Sequence, residues 1–174
     1  ESLWETLQVF PLMDKLIKAA AAHPTDREML CEAVQFLKEQ FQDVPTARPI
    51  VQTHGRFRHE HIFISREAVS IIDLDQSHPA DPARDAAEFL HALRWDAFKI
   101  GYDLEKIDKA CRAFIKVYLS QVSEAAPALT ACWSASTFLT LLRYAKRTHT
   151  PEAERRRQVE FLLGEIRSIA KYGI

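Results

Sequence analysis

A mainly helical fold carrying one small β unit is predicted by three observations. The 174 residues include only 4 glycines, apolar residues recur at helical spacing over most of the chain, and one internal stretch is instead rich in β-branched and aromatic residues. At 47% hydrophobic, a chain of this length can bury a core, and one domain over residues 1–174 is expected. The expected class is α+β dominated by α: helices, a β-hairpin unit, then more helices.

Residues 2–22 hold one or two helices, because Pro11 suits the first turn of a second helix better than the middle of one. Thr25-Asp26-Arg27-Glu28 has capping-box spacing, and Leu30, Ala33, Val34, Leu37 and Phe41 then form one apolar face of a helix ending near Asp43. Val44-Pro45-Thr46-Ala47-Arg48-Pro49 breaks the chain. Three short strands follow at 50–53, 61–65 and 69–74, the last two forming a hairpin around Arg66-Glu67. Asp81-Pro82 is a helix start, a capping carboxylate before a proline, with Ala86, Phe89, Leu90 and Leu93 facing the core and Gly101 at the C-cap. Residues 103–122 continue as an amphipathic helix with Ile107, Cys111, Phe114, Ile115 and Tyr118 inward. Pro127 begins a helix through Tyr144 that carries Trp133, Phe138 and Leu141, and Pro151 opens the last, through about Ala170.

The charge balance, 23 basic residues against 24 acidic, creates no field that would draw nucleic acid or an anionic membrane, and both partner classes are set aside. Cys31, Cys111 and Cys132 are odd in number and embedded in helical patterns, so they read as buried thiols of a reducing compartment. No apolar run approaches the roughly 18 residues of a membrane helix, and a cytoplasmic location is expected. The first residue is Glu1 rather than methionine, which points to a piece of something longer.

The chemistry concentrates in H-G-R-F-R-H-E-H at 54–61 and the hairpin after it. Pairing across a turn centred between Arg66 and Glu67 sets Ile62 opposite Ile71 and His61 opposite Ile72, so Asp73 lies just past His61. The loop and the carboxylates of Asp73 and Asp75 then meet at one end of the hairpin, a place for a hard cation such as Mg²⁺ and the phosphate it holds. Two other readings compete. Asp73 and Asp75 could simply cap the loop before Asp81, or His59, His61, Asp73 and His78 could hold Zn²⁺ or Mn²⁺.

Three segments together, H-G-R-F-R-H-E-H at 54–61, I-D-L-D at 72–75 and D-P-A-R-D-A-A at 81–87, resemble the C-terminal lobe of the aminoglycoside phosphotransferase and choline kinase group, relatives of the protein kinases. That group reads H-G-D-x-x-x-x-N, I-D-[FW]-[DE] and D-P-x-x-D-[LI]-A in the same order. The resemblance implies a helical kinase-like lobe lacking its N-terminal lobe, either as a fragment of a longer chain or as a reduced relative that never had one, with Asp73 and Asp75 as the metal-segment acids. It further implies that Asp85 braces the catalytic loop and that His54 packs beneath it. Two positions depart from the pattern. Arg56 stands at the catalytic-base position, and an arginine cannot accept a substrate proton; His61 stands where the group has a metal-binding asparagine.

The expected function is therefore that of a phosphotransferase lobe, whose parent moves the ATP γ-phosphate to a hydroxyl of a small molecule with Mg²⁺ and the missing lobe as partners. The alternative is a pseudokinase-type binding module in which Arg56 pairs with Asp73 or Asp75 in place of a metal. Other residues read as structural: His91 as packed or surface, Trp4, Trp95 and Trp133 as core, His23, His149, Glu152 and Glu154 as loop and helix-start chemistry, and Arg155-Arg156-Arg157 as a solvated face. Substrate-binding residues are not legible; Trp133, Tyr144 and Glu160 are only guesses.

Overall fold

The computed structural model describes Lys18, residues 24–145, residues 149–169 and Tyr172. The helices expected within 2–22, together with Trp4 and His23, lie outside them. Among the described residues five α-helices and four short strands run in the order α1 (Pro24–Gln42), β1 (Val51–Thr53), β2 (Ile62–Ile64), β3 (Val69–Ile71), β4 (His78–Ala80), α2 (Ala83–Ile100), α3 (Leu104–Gln121), α4 (Ala126–Ala145) and α5 (Glu152–Ile169). The class is the expected one, mostly helical with small antiparallel strand pairs.

Helix α4 is the centre, packed by α1, α2 and α5. Its sequence explains the position, because Ala128, Leu129, Trp133, Phe138 and Leu141 are all fully buried. Two of its buried hydroxyls are satisfied within the helix: Thr130 and Thr137 donate to the carbonyls of Ala126 and Trp133 one turn back. The stripe Leu30, Ala33, Val34, Leu37 and Phe41 of α1 is buried against it. Burying each such large side chain contributes about 1.5–3 kcal/mol.

Helix α3 opens on Asp103, whose carboxylate accepts the Glu105 and Lys106 N–H groups. Gly101, in the left-handed region at φ 69°, closes α2. The C-terminal half of α2 is fixed by Arg94, a buried guanidinium that binds both oxygens of Glu165 on α5 and the Asp108 carboxylate of α3 at 2.6 Å. Arg94 and Arg112 both lie over the ring of Tyr172, whose hydroxyl donates to Asp108.

Several expectations are corrected. The three strands over 50–74 are shorter than expected, with His61 in a 3-10 turn (His59–His61) and residues 72–74 outside the ladder. The pairing within the hairpin is Ile62 with Ile71, Phe63 with Ser70 and Ile64 with Val69. Strand β1 does not join it; it pairs antiparallel with β4, Val51 against Ala80 and Thr53 against His78. Strand β4 escaped the sequence because its three residues are His78, Pro79 and Ala80, a composition without β propensity. Cys31 is exposed, one position off the buried stripe of α1, whereas Cys111 and Cys132 are buried and burial raises both thiols, Cys111 to about 12. Among the described residues no helix is long and apolar enough to cross a membrane.

Candidate functional site

The loop after β1 turns at a residue that must be glycine. Gly55 has φ 80°, and a Cβ on it would overlap the carbonyl oxygen of Gln76. The turn aims two consecutive backbone donors at one acceptor: the N–H groups of His54 and Gly55 donate to the two carboxylate oxygens of Asp85, in the first turn of α2, at 2.6 and 3.0 Å. Asp81, four residues earlier, accepts the Ala83 N–H at 2.8 Å and holds buried Arg48 at 2.8 Å. Arg48 in turn donates to the Glu124 carbonyl, so the strand break at 44–49 is tied to the helices.

The ring of His54 is buried under the loop, and its Nε2–H donates to the carbonyl of Ile72 at 2.9 Å. It stacks on His61 with centroids 5.4 Å apart and planes 8° from parallel. Phe57 also lies against His54, tilted at 5.7 Å, and stacks on Phe89 of α2, which meets Phe114 of α3. This aromatic column connects the loop to two helices.

Asp73 follows directly. Its backbone is left-handed, φ 65° and ψ 51°, and among the described residues it is the non-glycine with positive φ, a conformation costing roughly 1–2 kcal/mol. The Ile72 N–H bonded to the His61 carbonyl at 3.1 Å before it, and the 3-10 turn Leu74–Gln76 after it, hold it there. Its Oδ2 lies 3.3 Å from His61 Nε2, and its side chain is 40% exposed. Because His61 Nδ1–H donates to the Arg56 carbonyl at 3.0 Å, an ion pair at Nε2 requires the doubly protonated ring.

The remaining expected ligands are not drawn in. Asp75 is exposed in its turn. His59 faces Asp96 on α2 at 3.9 Å. His78 donates from Nδ1 to the Gln76 carbonyl and accepts from Arg84 at Nε2, both at 2.7 Å. Among the described residues no three His, Cys, Asp or Glu side chains gather as a metal site, so neither the His59, His61, Asp73, His78 set nor Asp73, Asp75 and His61 together form one. Magnesium asks for less, one or two protein carboxylates with phosphate and water completing its shell; Asp73, partly open, fits that role. Arg56 is exposed and, among the described residues, has no ion-pair partner, so the pairing with Asp73 or Asp75 is not formed.

Arg56 borders a cavity instead. About 380 Å³ of space between the loop, the start of α2 and α4 is lined by Gly55, Arg56, Arg84, Glu88, Ser136 and Arg143, with Arg58 beside them. A second cavity of about 210 Å³ shares Arg58, Glu88 and Arg143 and reaches His91. Burial raises the Glu88 carboxyl above its usual range even though Arg58, Arg84 and Arg143 pull the other way. His91 is buried between the hydroxyls of Thr137 and Thr140, at 3.2 and 2.7 Å, and burial lowers it to about 4. Of the substrate guesses, Trp133 is fully buried in the core, Tyr144 borders the second cavity, and Glu160 is exposed on α5. Sequence reasoning missed Arg84, Glu88 and Arg143. Arg84 and Glu88 stand four apart on one helix, which reads as an ordinary surface pair, and Arg143 comes from a helix that no spacing rule connects to the loop.

In comparisons with known proteins, no family model matches the chain and no curated protein matches it.

Proposed function

We propose that this chain is the C-terminal lobe of a phosphotransferase related to the aminoglycoside phosphotransferase and choline kinase group, whose whole protein transfers the ATP γ-phosphate to a hydroxyl of a small molecule. One observation carries the reading: an acid in a strained left-handed conformation, Asp73, is locked to a glycine turn whose two N–H groups share the single carboxylate of Asp85. Strain of this kind persists where the surroundings over-determine it, and it clusters at functional sites. The histidine between them, His54, reaches the residue before Asp73 through its ring and Asp85 through its backbone, so loop and acid form one unit.

In this reading Asp73 would hold Mg²⁺, which would supply positive charge to neutralise the phosphoryl group in transfer. The chain's own residues do the positioning. Asp85 and His54 fix the loop, and His61, its Nε2 3.3 Å from Asp73 Oδ2, lies against one side of that carboxylate and leaves the rest free. The exposed apolar side chains of the hairpin, Phe63, Ile64, Val69 and Ile71 among them, support a second, nucleotide-covering lobe resting there. The second reading, an impaired module that binds without transferring, is favoured by Arg56 alone, since a guanidinium takes no proton from a hydroxyl.

The chain by itself should show no transfer from ATP, because a lone lobe closes one side of a nucleotide cleft. Expressed with its upstream coding sequence, it should phosphorylate a member of a panel of small hydroxylated compounds in the presence of Mg²⁺, and Asp73→Asn should abolish that activity. Transfer that survives Asp73→Asn overturns the assignment of Asp73; no transfer by the longer protein with nucleotide binding retained gives the second reading.

A further inference from the structure

The cavity beside the loop has the wrong sign for a cationic acceptor. Three of its guanidinium groups, those of Arg56, Arg84 and Arg143, have no carboxylate at ion-pair distance among the described residues. Arg58, the fourth, shares Asp96 at 2.8 Å and Glu60 at 3.4 Å, while its Nε is buried with no hydrogen-bond partner among the described residues. The one acid in the lining, Glu88, is pushed by burial toward its neutral form. Arg84 is aimed rather than loose: His78 accepts its Nη1–H at 2.7 Å and is itself fixed by the Gln76 carbonyl. Clustered guanidiniums repel one another, and their forked donors match oxyanions. At about 380 Å³ the space falls in the size range of small-molecule sites.

We propose that this cavity binds a small anionic molecule through a phosphoryl or carboxylate group, held by Arg84, Arg143 and Arg56. Because Gly55 and Arg56 belong to both the cavity and the loop, the anion is the acceptor of the proposed transfer. That last step rests on the phosphotransferase reading; the binding of the anion does not. Glu88 sets the number of positive charges left uncompensated, and His78 is a positioning residue that acts through Arg84.

Calorimetric titration of the chain at constant ionic strength decides it, with inorganic phosphate, malonate and choline as probes and no nucleotide present. Saturable binding of phosphate or malonate is expected, and whichever binds more tightly identifies the group. Arg84→Gln and Arg143→Gln should each weaken that binding about tenfold, the loss of one charge-assisted hydrogen bond, whereas Lys109→Gln on the exposed face of α3 should not change it. Glu88→Gln should strengthen it. Choline binding more tightly than both anions, anion binding that is equal in all three cationic-residue variants, or binding of neither anion overturns the proposal. The folded state of each variant is checked by its near-ultraviolet circular dichroism, and should Arg84→Gln fail to fold, Arg143→Gln from the opposite helix carries the same test. Failure of transfer by the longer protein, with anion binding intact, would instead count against the phosphotransferase reading alone.

Discussion

Loop 54–61 and the β2–β3 hairpin are consecutive in the chain and opposite in how they are held. The loop buries polar side chains, His54 and His61 each at 7% exposure, while the hairpin leaves Ile64 at 79% and Val69 at 64%. In the loop the contacts run inward: two N–H groups on Asp85, a ring on the Ile72 carbonyl, another on the Arg56 carbonyl. The hairpin has its ladder and little else. Polar contacts of fixed direction specify the shape of the loop from within this chain; the apolar hairpin is specified only by its register and carries a surface suited to a cover.

The largest effect should come from removing the acceptor on which the loop depends. Asp85→Ala leaves two inward-facing N–H groups without a partner, at about 1–3 kcal/mol each, and the unfolding midpoint in urea should fall markedly. Asp85→Asn, which keeps one acceptor oxygen, should lose less. An unchanged midpoint for Asp85→Ala would mean that the loop is held by its aromatic column alone, and the contrast with the hairpin would disappear.

A second measurement separates the loop histidines from the one behind them. His91, lowered to about 4 from 6.5 by burial, is held neutral in the folded chain, so between those values the unfolded chain binds more protons. Stability is then complete above about pH 6.5 and declines as pH falls toward 4, by a total of up to ~3 kcal/mol. Replacing the ring by an uncharged side chain, as in His91→Gln, should flatten this part of the pH profile, measured by urea titration at each pH. A profile as steep in the variant as in the natural chain would place the acid sensitivity elsewhere.

Parts of the fold around these two regions were legible in the sequence. The capping signals at Asp81-Pro82 and Asp103 and the glycine at 101 located helix ends, and the hairpin register followed from its turn. The hairpin pairing located Asp73 just past His61, and the family resemblance pointed to Asp85 beside the loop. What spacing could not supply were contacts across elements. Arg48 reaching Asp81, β1 taking β4 as its partner, and Arg84, Glu88 and Arg143 meeting beside Arg56 all depend on how helices pack. Asp75 and His78 show the converse: they look like ligands in a row of acids and histidines, but a 3-10 turn and a bond to Arg84 dispose of them separately.

The smallest effect expected of this chain is at the hairpin. Ile64→Asp alters a side chain that is 79% exposed and whose strand partner, Val69, is itself uncovered, so it should change the unfolding midpoint of the chain by no more than about 0.5 kcal/mol. It should also reduce self-association at high concentration, since it breaks an apolar patch. If a second lobe covers the hairpin in a longer protein, as proposed, the same substitution places a carboxylate against that lobe, and an unpaired charge at a buried apolar contact costs several kcal/mol. Measuring Ile64→Asp in both forms therefore tests the cover directly, with Phe63→Asp as an independent second site. A substitution that is neutral in both leaves the hairpin exposed in the whole protein and removes the support it lends to a nucleotide-covering lobe; one that is damaging already in this chain would show that the hairpin contributes to the fold as the loop does.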